Sequence, residues 1–146
     1  MNCFNYIINE ITEGLSSSEN LSDISFIKSY PLTQRPSPID KVYVTIGFIG
    51  IDILKRTFSD YIEQLSSSKI YGREVNISLR VKIYSPKRRG GEGCIEAFER
   101  VCDWLIFGQK DYSVKSIENT KIDYDPNLTS MTLSSVVKMS AFVKNE

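Results

Sequence analysis

Apolar residues recur at helical spacing from residue 4 to residue 15. Phe4, Ile7, Ile8, Ile11 and Leu15 fall on one stripe, with Asn5, Asn9, Glu10 and Glu13 opposite. The pattern predicts an amphipathic first helix, weakened at its end by Gly14 and by the serines at 16 to 18. Glu19 to Asp23 reads as a polar connection and Ile24 to Lys28 as a short strand. Tyr30 to Pro38 holds three of the five prolines, and proline neither donates to a strand ladder nor sits inside a helix, so an extended loop is expected there.

Val42, Val44, Ile46 and Phe48, and then Gly50, alternate with Tyr43, Thr45, Gly47 and Ile49, which predicts a strand with apolar groups on both faces. Such a strand is either covered on both sides or meets a neighbouring subunit, and Gly47 and Gly50 permit a bulge. Residues 54–68 are ambiguous: Leu54, Phe58, Tyr61, Ile62 and Leu65 fit a helix, whereas the surrounding serines and absent caps fit a loop. The strict alternation of Val75, Ile77, Leu79, Val81 and Ile83 with Asn76, Ser78, Arg80, Lys82 and Tyr84 predicts a half-buried antiparallel strand over 74–84.

Ser85-Pro86 ends that strand. Lys87 to Gly91 then lead into a second helix whose core stripe is Cys94, Ala97, Phe98, Val101, Cys102 and Leu105, broadened at its end by Trp104, Ile106 and Phe107. Tyr112, Val114 and Ile117 open a strand that runs on through Ile122 and Tyr124; Asp125-Pro126-Asn127 signals a turn, and Met131 to Val143 supply a last strand. The expected fold class is α+β: a mainly antiparallel sheet of about four strands, two amphipathic helices packed on one face, and an extended loop or hairpin insertion. Residues 1–146 form one domain in this reading, the length being about that of one core.

Composition narrows the function classes. Eighteen Lys and Arg balance 18 Asp and Glu, so no net field draws the chain to nucleic acid or anionic lipid. The first residues lack a basic stretch followed by an apolar run, and no apolar stretch is long enough to span a bilayer, so the expected setting is the cytoplasm with no membrane partner. The three cysteines have no staple-like or Cys-x-x-Cys spacing and the chain has no histidine, which leaves a structural zinc site without ligands; Cys94 and Cys102 read as small core residues.

Catalytic chemistry has little to start from. Without histidine, proton transfer near neutral pH falls to carboxylates, lysine or tyrosine, and Asp52, Asp60, Glu63, Asp123 and Asp125 make no calcium-loop pattern. Gly90-Gly91-Glu92-Gly93 before a helix offers amides to an anion but lacks the Walker spacing, and the serine triplets at 16–18 and 66–68 lack the glycines of a nucleophile elbow. Lys87-Arg88-Arg89 is the one basic cluster: a solvated loop, a contact with an acidic partner surface, or a contact with the phosphates of a nucleic acid. The expectation is no enzyme, no cofactor and no metal.

The order of features resembles the tail terminator and related tail-completion proteins of tailed phages and phage-derived contractile bacteriocins. The matching pieces are the N-terminal amphipathic helix, Tyr30-Pro31 and Pro36-Ser37-Pro38 ahead of Val44-Thr45-Ile46-Gly47, Ile83-Tyr84-Ser85-Pro86, Gly90-Gly91 opening the second helix, and Tyr124-Asp125 before the last strand. The resemblance implies a ring, usually hexameric, at the head-proximal end of a tail. There it stops tube polymerisation and joins the head or collar, after assembly in the host bacterial cytoplasm. The implied partners are further copies of the chain, tube and sheath subunits, and a head-connector or collar protein. Candidate subunit-contact residues are Phe58, Tyr61, Ile62, Lys87, Arg88 and Arg89, with the 54–74 segment either ordering against a neighbour or packing on its own domain. The rivals are another neck, connector or tail-tube component, and, from a different class, a small carboxylate-dependent enzyme or a ligand-binding domain.

Overall fold

The structure is a computed structural model and describes residues 3–28, 40–53, 61–65, 68–127 and 129–144. The elements are α1 (Cys3–Ser17), β1 (Ile24–Lys28), β2 (Val42–Ile53), β3 (Tyr61–Leu65), β4 (Ser68–Pro86), α2 (Gly90–Asp103), β5 (Ser113–Asp125) and β6 (Ser130–Lys144). The expected α+β class holds, but among the described residues the sheet has six strands rather than about four and is mixed, with one parallel pair, where a mainly antiparallel sheet was expected. Its order is β1-β2-β4-β6-β5, with β3 paired to the start of β4. β1 runs parallel to β2, while every other pairing is antiparallel. Residues 29–41 separate β1 from β2, a connection of the length a parallel return requires, and the parallel pair departs from the mainly antiparallel sheet expected. The proline-rich loop expected over 30–38 lies outside the described residues.

One face of the sheet builds the core. Val44 and Ile46 of β2 stand beside Ile83 and Val81 of β4, which stand beside Leu133 and Ser135 of β6. Further along, Leu79 and Ile77 face Val137 and Met139. All of these side chains are buried, and α1 covers them with Ile7, Ile8, Ile11 and Leu15 while α2 covers them with Cys94, Ala97 and Val101. Each buried aliphatic side chain is worth about 1.5–3 kcal/mol, so this continuous layer is the main driving force for the fold.

The β2 alternation holds as far as Phe48, where a bulge follows. Ile49 is squeezed out and exposed, and Ile51 takes over the core side opposite Ile77. Gly50, unconstrained at Cβ, absorbs the shift. Phe48 meets Phe4 of α1 at a ring-centroid distance of 5.4 Å.

Residues 61–65, which helical spacing made ambiguous, form a strand instead. β3 pairs Tyr61 with Tyr71 and Leu65 with Ser68, so β4 begins six residues earlier than the alternation over 74–84 suggested. Pairing with an existing strand outweighs a weak helical pattern that lacks caps. At the other end of the chain, the expected turn after β5 is present: the Asn127 N–H donates to Asp125 Oδ1 at 2.9 Å, and Thr129 sits at φ 48°.

Candidate assembly surfaces

Lys87, Arg88 and Arg89 form a short exposed turn at the end of β4, and Gly90, at φ 60°, redirects the chain into α2. The three cations engage their own chain. Lys87 Nζ stands 5.4 Å from the Tyr124 ring centre, Arg88 donates to the Asp40 carbonyl at 3.3 Å, and Arg89 pairs with Glu96 at 2.8 Å. The glycines of the phosphate-loop reading serve packing here: a Cβ on Gly93 would lie 2.3 Å from Ser85 Oγ, so the lack of one lets α2 seat on the end of β4.

Phe58 lies outside the described residues, while Tyr61 and Ile62 lie on β3, at the opposite end of β4 from the basic turn. At about 3.3 Å per residue, the run from Tyr71 to Pro86 puts roughly 50 Å between the two groups. They are therefore not one patch, and any contact that used both would involve two separate surfaces.

At the C-terminal ends of the helices a cleft of about 800 Å³ opens between Ser17, Leu21, Arg100, Trp104 and Phe107. Arg100 reaches Asp23 with both guanidinium nitrogens, at 2.6 and 3.1 Å, and also donates to the Asn20 carbonyl. This pairing holds the Asp23 carboxyl below the usual carboxylate range. Trp104 is gripped between two glycines: a Cβ on Gly14 would lie 2.6 Å from its Cζ2, and one on Gly108 would lie 2.7 Å from its Cδ1. The sequence pattern placed Ile106 and Phe107 on the core stripe, but both are exposed, Phe107 by 76%. The reason is local: after Asp103 the helix widens into a π turn over Trp104–Gly108, which breaks the 3.6-residue phase. Gln109 then closes the turn, donating to the Leu105 and Tyr112 carbonyls and accepting from the Tyr112 N–H.

The sheet face away from the helices is the surface that motif reading missed. Its central rows carry Lys82 and Arg80 of β4, Lys138 of β6 and Lys121 of β5, set among Thr45, Gly47, Ser78, Ser134 and Val136. Both helices pack on the opposite face; on this one Thr45, Gly47, Tyr84 and Thr132 are buried, whereas Arg80 is exposed and Ser78, Lys82, Ser134, Val136 and Lys138 are partly exposed. Lys82 lies 5.3 Å from the Tyr84 ring centre and Arg80 donates to Ser134 Oγ at 3.2 Å, while two acids of the same face hold cations: Glu118 stands 3.7 Å from Lys138 and Asp123 stands 3.3 Å from Lys121. The alternation over 74–84 already put Arg80 and Lys82 on the non-core side; what the sequence hid was which strands lie beside them.

The two described thiols behave as core groups. Cys94 is fully buried and Cys102 half-buried; burial raises both thiol pKa values, that of Cys102 to about 11. Tyr112, which donates to Glu10, is also pushed up by burial and by that bond. Among the described residues, no three His, Cys, Asp or Glu side chains are placed to share a metal ion, and no helix is long and apolar enough to cross a membrane. No protein-family model and no curated protein matches the chain.

Proposed function

We propose that this chain is a structural assembly subunit of a phage or phage-like tail, forming a closed ring at the head-proximal end that halts tube growth and presents a joining surface. The observation that carries the reading is the open sheet face. Two helices bury one side of the sheet, and on the other side Arg80 and the partly exposed Ser78, Lys82, Ser134, Val136 and Lys138 of β4 and β6 form a surface of the kind a second subunit covers. The exposed Phe107 at the α1–α2 cleft supplies a second apolar contact point. Two contact surfaces on different sides of one subunit make a heterologous interface, which either closes into a ring or grows without limit, and a terminator must close. Phe58, Tyr61, Ile62 and Lys87 to Arg89 remain candidate contact residues on this reading, at two sites rather than one. The test is direct: purified chain is added to growing tail tubes, which are then imaged. Tubes that stop growing and carry a ring at one end support the reading; unaltered growth with bare ends overturns it.

A further inference from the structure

Formal charges cancel over the whole chain, but the fold sorts them onto different sides. Along α2, Glu92, Glu96, Glu99 and Asp103 recur at steps of four, three and four residues and so share one stripe. That stripe is exposed and lies opposite the buried Gly93, Cys94, Ala97 and Val101. Glu96 holds Arg89, and Arg100 is turned away to Asp23, whereas Glu92, Glu99 and Asp103 have no cationic partner among the described residues. Ile95 and Ile106, each about half exposed, flank the stripe.

We propose that copies of this chain associate head to tail, with the outer face of α2 of one copy lying along the open sheet face of the next; this rests on the self-assembly reading above. The dimensions match. Glu92 to Asp103 spans about 16 Å at 1.5 Å per residue. On the sheet, Lys82, Arg80 and the row of Ser78 and Lys138 cover about 14 Å at 3.4 Å per residue. A straight acidic row thus meets a basic row of nearly equal length. The small, partly exposed Ser78 and Ser134 let a helix approach the strands closely, and Ile95 and Ile106 gain an apolar neighbour in Val136. A nucleic acid fits the same face less well, because the Tyr84 ring is buried and so not free to stack on a base.

The experiment uses two charge-reversed full-length chains, each checked for native circular dichroism. One carries Glu92→Lys, Glu99→Lys and Asp103→Lys; the other carries Arg80→Glu, Lys82→Glu and Lys138→Glu. Each alone should self-associate at least about tenfold more weakly than the unmodified chain, whose own association should weaken with salt. Mixed in equal amounts they should assemble again, because each reversed stripe then faces a reversed sheet and each original stripe an original sheet. If both reversed chains assemble as the unmodified chain does, or if the folded pair stays dissociated when mixed, the interface is wrong while the self-assembly reading stands. If the unmodified chain stays monomeric at every concentration, the interface falls, and if it also fails to bind purified tube ends the self-assembly reading falls with it. Loss of retention on a DNA column by the sheet variant, with assembly intact, would assign the face to nucleic acid and overturn the proposal.

Discussion

Gly14→Ala should behave oppositely depending on whether Trp104 is present. In a helix interior, alanine is favoured over glycine by about 1 kcal/mol, so on an isolated α1 the change stabilises. In the folded chain the new methyl would lie 2.6 Å from Trp104 Cζ2 and 2.8 Å from Cη2, closer than carbon atoms approach. The indole must shift to admit the methyl, and it leaves the seat between Gly14 and Gly108 that the absence of both Cβ atoms creates. Overpacking of this kind costs about 1–3 kcal/mol, so the net effect should be a loss of up to about 2 kcal/mol. Trp104→Ala removes the obstacle, and in that background Gly14→Ala should stabilise by about 1 kcal/mol. The coupling between the two sites is then about 1–3 kcal/mol, in the range expected of residues in contact. Urea unfolding followed by far-UV circular dichroism measures all four chains, avoiding fluorescence because Trp104 is the only tryptophan. Gly14→Ala stabilising equally in both backgrounds would refute the packing described.

Further predictions address the turn, the ion pair, the thiols and the basic cluster. Thr129→Gly should raise stability by roughly 1 kcal/mol in thermal unfolding, because a β-branched residue at φ 48° carries the left-handed penalty. The folded-state pKa of Asp23 is depressed, so its pairing with Arg100 stabilises above the ordinary carboxylate range and is lost as pH falls through the folded value. The stability gap between the natural chain and Asp23→Asn should therefore be present at pH 7, below about 1 kcal/mol for so exposed a pair, and should close on acidification. Cys94 and Cys102 should resist maleimide at pH 8 until denaturant is added, as burial holds both as thiols. Replacing Lys87, Arg88 and Arg89 with serine should weaken assembly and its salt dependence, read by light scattering; unchanged assembly would leave the cluster as a support for the α2 entry alone.

The strands and helices with strong periodicity were legible in the chain. Residues 24–28, the 42–48 alternation, the 74–84 strand, both helical stripes and the Asp125 turn all stand where the pattern put them. What escaped was set by partners rather than by local preference. Nothing in Ile24 to Lys28 announces parallel pairing with β2, and nothing in Tyr61 to Leu65 announces a ladder to β4. The π turn that exposes Ile106 and Phe107 is likewise invisible to a period-based reading, which assumes an unbroken 3.6-residue phase. The acidic stripe of α2 was readable from its spacing, but its meaning depends on a basic face that strands distant in sequence assemble.

The most direct test of the central claim is the native mass of the purified full-length chain across a wide concentration range, by sedimentation or light scattering. A discrete oligomer whose mass stops rising with concentration is the predicted result, because a heterologous interface that closes exhausts its free surfaces. A strict monomer at the highest concentration, which also fails to bind purified tube ends, would contradict it.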